Sequence, residues 1–410
     1  MHDSKSPITQ TPLKELFGPF GTTNQIADLL EGQYPVDSLD ITDLAKEWLN
    51  WMEMTEEEKA TSDIPDKITP EQFSSAFKSV REKTMSSFST LHYTLWKAVA
   101  EDKEMSEYYA IMMSLPFQYG FAHPRWTTEI DLMLEKTDGE QKIHLMRIIG
   151  IVEADFNQAL KIKFTRQLMR NAEKTGMTPN QWGGRANRSA PDCASRKLLT
   201  LEYVRYMKRP LGIFFSDLSN CFDRMLPRLS SLVSMKKGMT SNVCESRAKV
   251  MRQMKRHVRL GAGTSTNKYQ EEDGDTPLEG EIQGKGDVMG LWALVSDSIL
   301  SVHKKLSSKL LLRHVATEQT SERSADAYVD DADIYASGNN ENERDYSSNY
   351  FTILENADEE EQELTGDPGD DPHDTARQLE KNAQLWASLV ELTGGLMAFY
   401  KCSIHRHIHN

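Results

Sequence analysis

The sequence predicts an α+β chain. Three observations carry that expectation. Apolar residues recur at i, i+3 and i+4 through EQFSSAFKSV, LHYTLWKAVA, SEYYAIMMSL and EADFNQALKIKFTRQLMRNAEKTG, all within 70–200, the period of helices that bury one face. Two apolar runs, IDLMLEK and KIHLMRIIGIV, flank Asp138-Gly139, a hairpin signature. LGIFFSD (211–217) reads as a buried strand ending in a carboxylate, and AYVDDADIYA (327–336) as strand, double carboxylate, strand.

In chain order, residues 1–69 form a polar, acidic extension with one amphipathic helix expected over 38–54, started by Asp40 or Thr42. Thr69-Pro70 reads as a helix start, with Thr as N-cap and Pro at the first helical position. Residues 70–210 group as a largely helical region with the Asp-Gly hairpin, its long helix closed by Gly176. Residues 211–405 form the last region. It opens on the buried strand, continues through a mostly helical, basic 222–260 and a turn-rich 262–282, and has a long helix over 286–306. The Asp-Asp strand, an acidic insertion at about 339–375, and a helix over 376–392 closed by Gly394-Gly395 complete it.

The whole-chain charge misleads. The 410 residues carry a formal net charge of -14, yet 339–380 holds fourteen acids and two arginines, a net of -12, leaving about -2 for the rest. Elsewhere the chain is basic in stretches. Residues 161–210 have twelve Lys/Arg against three acids, and 235–260 eight against one, which suits contact with a phosphate backbone. Trp182 and Tyr203 within the first stretch read as core. The four cysteines have neither zinc-knuckle nor disulfide-framework spacing. The N-terminus has no apolar signal core, and no apolar run reaches a membrane span. An intracellular protein of the nucleus or cytoplasm, with no membrane partner, is expected. Alternating His405, His407 and His409 would share a face in a strand; a frayed tail is the plainer reading.

Asp330 and Asp331, set among apolar residues, pose the chemical question. Adjacent carboxylates repel, and burying either is costly without a cation. A solvated or calcium-binding acidic turn is the bland answer. A magnesium site is the sharper one, because hard cations prefer carboxylate oxygens and Asp217 ends a second buried strand.

The residues resemble those of the reverse transcriptase family, in the form found in retrotransposon-type elements. YVDD (328–331) resembles the catalytic box, and FFSDLSNCFDRM (214–225) the first palm motif. GEIQGKGDVMGLW (280–292) resembles the Gln-Gly motif, and QLWASLVELTGGLMAFYKCS (384–403) the late motif with its Gly-Gly and Lys. STLHYTLWKA (89–98), PRWTTEIDLMLEKTDG (124–139) and LMRIIGIVEADFNQALK (145–161) resemble the fingers, and QWGGRANRSAPDCASRKLLTLEYV (181–204) the segment before the first palm motif.

The resemblance implies right-hand polymerase architecture: fingers over 70–210, and a palm over 211–405 with an antiparallel sheet and packed helices. It implies template-directed DNA synthesis from dNTPs, RNA-templated, on a primed RNA or DNA template. Asp217, Asp330 and Asp331 would hold two Mg2+ (or Mn2+) ions, one acting on the primer 3'-hydroxyl and the other on the nucleotide phosphates. Lys136 and Arg147 would grip the triphosphate. Phe222 would exclude a 2'-hydroxyl. Gln283 and Gly284 would approach the template-nucleotide pair, and Lys401 would donate a proton to pyrophosphate. Two departures stand out. Val288-Met289 replaces the usual Ser-Pro, and only nine residues follow Lys401, so a thumb is expected to be missing. A downstream thumb or RNase H segment outside this chain would then be a partner. The alternative is a catalytically impaired relic, or a nucleic-acid-binding protein with a polymerase fold.

Overall fold

A computed structural model of the chain describes residues 7–61, 64–82, 84, 87–139, 142, 146–268, 280, 281, 283–313, 319–337 and 372–407. The strands among the described residues are β1 (Thr128–Glu135), β2 (Met146–Ile151), β3 (Leu211–Ser216), β4 (Lys255–Leu260), β5 (Gly263–Thr264), β6 (Leu310–Arg313), β7 (Thr320–Arg323), β8 (Ala325–Tyr328), β9 (Asp331–Ala336) and β10 (Ser403–His407). They form a mixed sheet, β2-β1-β4-β5, an antiparallel sheet, β10-β3-β9-β8, and a hairpin, β6-β7. Mixed α and β structure of this kind is compatible with the expected α+β class. Among the described residues, no helix is long and apolar enough to cross a membrane. The acidic insertion falls almost entirely outside the described residues.

The chain divides into two compact units that it enters more than once. The first comprises Met1–Leu39, Met52–Met177 and Phe222–Val295; the second comprises Asp40–Trp51, Thr178–Cys221 and Ser296–Asn410. They are not coextensive with the consecutive segments drawn from the sequence.

In the first unit the Thr69 hydroxyl accepts from Gln72 N–H and the Gln72 side chain answers Thr69 N–H, so a full capping box starts helix Pro70–Lys78. Phe73 and Phe77 on its buried face pack with Trp96. The expected long helix over Ala154–Lys174 is a composite: α-helical, then π-helical over Lys161–Leu168, then α-helical again. Gly176 beyond it has φ +92°. The hairpin strands pair as expected, Glu135 opposite Met146. Residues 222–260 are mostly helical, as expected, but end in a strand. Lys255–Leu260 is β4, parallel to β1, with Glu129 beside Arg256. Its basic composition hides the strand, because Arg256 and His257 are both buried.

In the second unit, helix Asp43–Trp51 is shorter than the 38–54 expected, and Thr42 accepts from Ala45 N–H. The antiparallel sheet lies between helical layers. Leu211 and Ile213 cluster with Tyr335, Leu310 and Val204 of helix Ala190–Tyr206. On the other face, Leu379 of helix Pro372–Leu392 closes on Gly212, and Trp386 Nε1 donates to Ser216 Oγ at 2.9 Å. The segment read as strand, double carboxylate, strand is a hairpin, because Tyr328 pairs with Asp331 and leaves only Val329 and Asp330 as the loop. A correction concerns the C-terminus. The C-terminal residues through His407 are not frayed: β10 pairs with β3, and His405 meets the Phe215 ring edge-on at 4.9 Å.

Candidate active site

That hairpin explains how AYVDDADIYA carries two adjacent carboxylates. The carboxylates do not sit inside a strand. Asp330 occupies the second loop position and Asp331 begins β9. Two-residue hairpin loops need positive φ at their first central position, and Val329 has φ +59°. A β-branched residue there is a true outlier, and such strain clusters at functional turns.

Asp217 joins them through strand register. β3 pairs with β9 antiparallel up to Ser216 opposite Ala332; one step further sets Asp217 beside Asp331. The other side of Asp217 is pinned too. Its carbonyl accepts from Ala398 N–H at 2.8 Å, and Leu218 bridges Met397. The same connection ends in the Phe399–Lys401 turn, which delivers Lys401 Nζ to Asp217 Oδ2 at 2.8 Å. Four of the residues singled out by sequence therefore meet at one end of this sheet.

Their electrostatics are unbalanced. Asp330 and Asp331 have no ion pair among the described residues, and Lys401 is the cation on Asp217. Surrounding protein raises the pKa of Asp331, and the charges of Asp330, Asp217 and Asp333 raise it further, against the pull of Lys401. The hydrogen bond to Asp217 raises the pKa of Lys401, so its ammonium keeps its proton. Asp333, two residues on, has its own partner in Lys197 at 2.9 Å.

An oxygen-only donor set suits a hard divalent cation in kind. In arrangement, no group of three or more His, Cys, Asp or Glu among the described residues is disposed as a ready ligand set. Lys401 holds the Asp217 oxygen that such a set would use. The donor type suits a cation; the arrangement, with Lys401 on Asp217, does not.

The remaining expected site residues belong to the first unit. Gln283 and Gly284 are fastened to β2: Gly150 N–H donates to the Gln283 carbonyl at 2.8 Å, and a Cβ on Gly284 would lie 2.8 Å from the Gly150 oxygen. Gly284 has φ +114°, so glycine is required for conformation and for space. Lys136 and Arg147 are exposed, near the end of β1 and on β2 respectively. Phe222 is half-buried, and its carbonyl accepts from Glu281 N–H at 2.9 Å, tying it to the loop that carries Gln283. Lys136 acts electrostatically on neighbouring Asp223, whose pKa burial raises and Arg256 and Lys136 lower.

Sequence reading missed what holds that loop. Arg247 is buried with Glu281 and Asp287 on either end of it, at 2.7 and 2.5 Å. The pattern was visible as acids bracketing Gln-Gly, but its cation lies 34 residues away from Glu281 and nothing local points to it. Neither protein-family models nor curated proteins yield a match to this chain.

Proposed function

We propose that the chain is a nucleotidyltransferase that extends a primer along a nucleic-acid template from dNTPs, with the palm and fingers architecture of the family it resembles and with RNA as its template. The observation that carries the reading is the meeting of Asp217, Asp330 and Asp331 at one sheet end, on rigid strands and a strained turn, with one lysine against three carboxylates. Such an excess of negative charge, held in place by backbone pairing, is what a divalent-cation phosphoryl-transfer site requires.

Asp217, Asp330 and Asp331 would hold Mg2+, which when bound neutralises the charge that develops on the attacking hydroxyl, the transferred phosphoryl and the leaving pyrophosphate. The protein's own groups do the rest. Lys401 keeps its proton at Nζ and, once released from Asp217, is a donor for the pyrophosphate oxygen. Exposed Arg147 and Lys136 answer the triphosphate charge, Arg147 in a fork. Phe222 bars a 2'-hydroxyl by its ring. Gln283 offers donor and acceptor beside the open backbone of Gly284.

The test is primer extension by the purified chain on an RNA template with dNTPs and Mg2+, beside Asp330→Asn. Extension by the wild type that the variant loses supports the reading. Template binding without extension by either favours the second reading, a non-catalytic nucleic-acid-binding protein, for which the Lys401–Asp217 ion pair is the supporting observation.

A further inference from the structure

We propose that Gly183 is a positioning residue for the carboxylate turn: its missing side chain is the socket that seats Val329 and thereby sets Asp330 and Asp331. In its catalytic consequence this rests on the function proposed above; in its structural content it does not.

Residues 180–183 run as a strap along the outer edge of β8. Ala327 N–H donates to the Asn180 carbonyl and Trp182 N–H to the Ala327 carbonyl, each at 2.8 Å, which makes Gln181 and Ala327 a parallel bridge. The strap is fixed from behind. Gln181 is fully buried; its Oε1 accepts from Gly183 N–H at 2.9 Å while its amide donates to Ser296 Oγ. Arg185, also buried, donates to the Gln181 carbonyl at 3.0 Å. A strap held this way does not give easily.

It presses on the turn at one point. A Cβ on Gly183 would lie 2.4 Å from Val329 N, 2.5 Å from Val329 Cγ2 and 3.0 Å from Val329 Cα. Two of those three atoms are backbone and have nowhere to rotate. The adjacent Gly184 has φ +73°, which accounts for glycine there by conformation. Gly183 is not among the positive-φ glycines, so its own backbone would accept any residue. Space alone demands glycine at 183, and the space is taken by Val329.

That contact explains how Val329 stays at φ +59°. A β-branched residue leaves such a conformation unless its surroundings over-determine it. The hairpin ladder holds Val329 from one side and the strap from the other. Any shift of Val329 passes through a single planar peptide to Asp330, so the strap governs the carboxylate geometry without touching a carboxylate.

The experiment uses the full chain as wild type, Gly183→Ala, Gly183→Ala/Val329→Gly and Asp330→Asn. Hydrogen exchange of the peptide covering 327–331 reads the turn and needs no metal. Mn2+ binding, followed by the free-ion resonance, and primer extension read the consequence. Gly183→Ala is expected to speed exchange over 327–331 while the melting temperature stays close to wild type. It should also weaken the Mn2+ binding that Asp330→Asn abolishes and lower kcat by roughly 10²-fold, the scale of about 1 Å of misplacement. Val329→Gly, which removes the Cγ2 contact and tolerates any φ but leaves the backbone contacts, should restore part of the loss. Unchanged exchange in Gly183→Ala overturns the proposal, as does loss of function only in step with a collapsed melting transition. Faster exchange in a chain whose wild type neither binds Mn2+ nor extends a primer would leave the positioning intact and refute the polymerase reading instead.

Discussion

Replacing Arg247 with Met should destabilise the first unit by about 3–5 kcal/mol, the cost of breaking a buried ion pair from one side. The magnitude follows from the surroundings. The side chains of Arg247, Glu281 and Asp287 are 2%, 0% and 0% exposed, so no water can replace the lost cation. Met fills much of the guanidinium's stem volume, which keeps the cavity contribution small. What remains is Asp287 without its cation and Glu281 with Lys285 alone, at 3.6 Å. The loss is local in effect too, since the loop they bracket carries Gln283 and Gly284 against β2. Urea denaturation followed by tryptophan fluorescence measures the first, and hydrogen exchange over 283–287 the second. The companion variant Arg247→Met/Glu281→Gln/Asp287→Asn removes the stranded charges and should regain most of the midpoint. A loss under about 1 kcal/mol for Arg247→Met, or a triple variant no better than the single, would refute the reasoning.

Burial first, then the charge of Glu129, pushes the Asp131 carboxyl up to about 7, with Arg256 and Lys285 opposing. A raised pKa means the folded state holds the proton more tightly. Its stabilising contribution is therefore complete below the ordinary carboxylate pKa and is lost as pH rises through about 7. Asp131→Asn should accordingly flatten the fall in the urea midpoint between about pH 5 and about pH 8; an unchanged slope would remove Asp131 from that account. Phe222→Ala should raise the ratio of ribonucleotide to deoxynucleotide incorporation, and an unaltered ratio would end its role as a steric gate. Lys401→Met should tighten Mn2+ binding, because the ammonium no longer occupies Asp217, while slowing extension; weaker metal binding would show that Lys401 supports the site rather than blocking it.

What was legible in the sequence was what local chemistry dictates. Thr69-Pro70 and Gly176 marked helix ends because capping and left-handed glycine act within a few residues. LGIFFSD announced β3 because a strand buried on both faces is apolar throughout. Less legible were features made by partners distant in sequence. KRHVRL looks nothing like a buried strand until Glu129 is set beside Arg256. The hairpin β6-β7 has too little apolar alternation to announce itself. The two carboxylates between apolar runs point to a break in the strand, but only the pairing of Tyr328 with Asp331 shows that Val329 and Asp330 alone make the loop. At the site, the three aspartates and Lys401 stood out as residue types, but the strap beneath them did not. QWGG stands out in the sequence, but that Gly183 faces Val329 depends on the parallel bridge from Gln181 to Ala327, 146 residues beyond Gln181.

The central claim is that Asp217, Asp330 and Asp331 form one cation-binding set from which Lys401 withdraws. Diffraction at the manganese edge, from crystals of the full chain grown with Mn2+, tests it most directly. The account predicts anomalous density in contact with oxygens of Asp217 and of the Val329–Asp331 turn, with Lys401 Nζ moved off Asp217 Oδ2. Lys401 still on Asp217, and no anomalous density among the three carboxylates at saturating Mn2+, would contradict it.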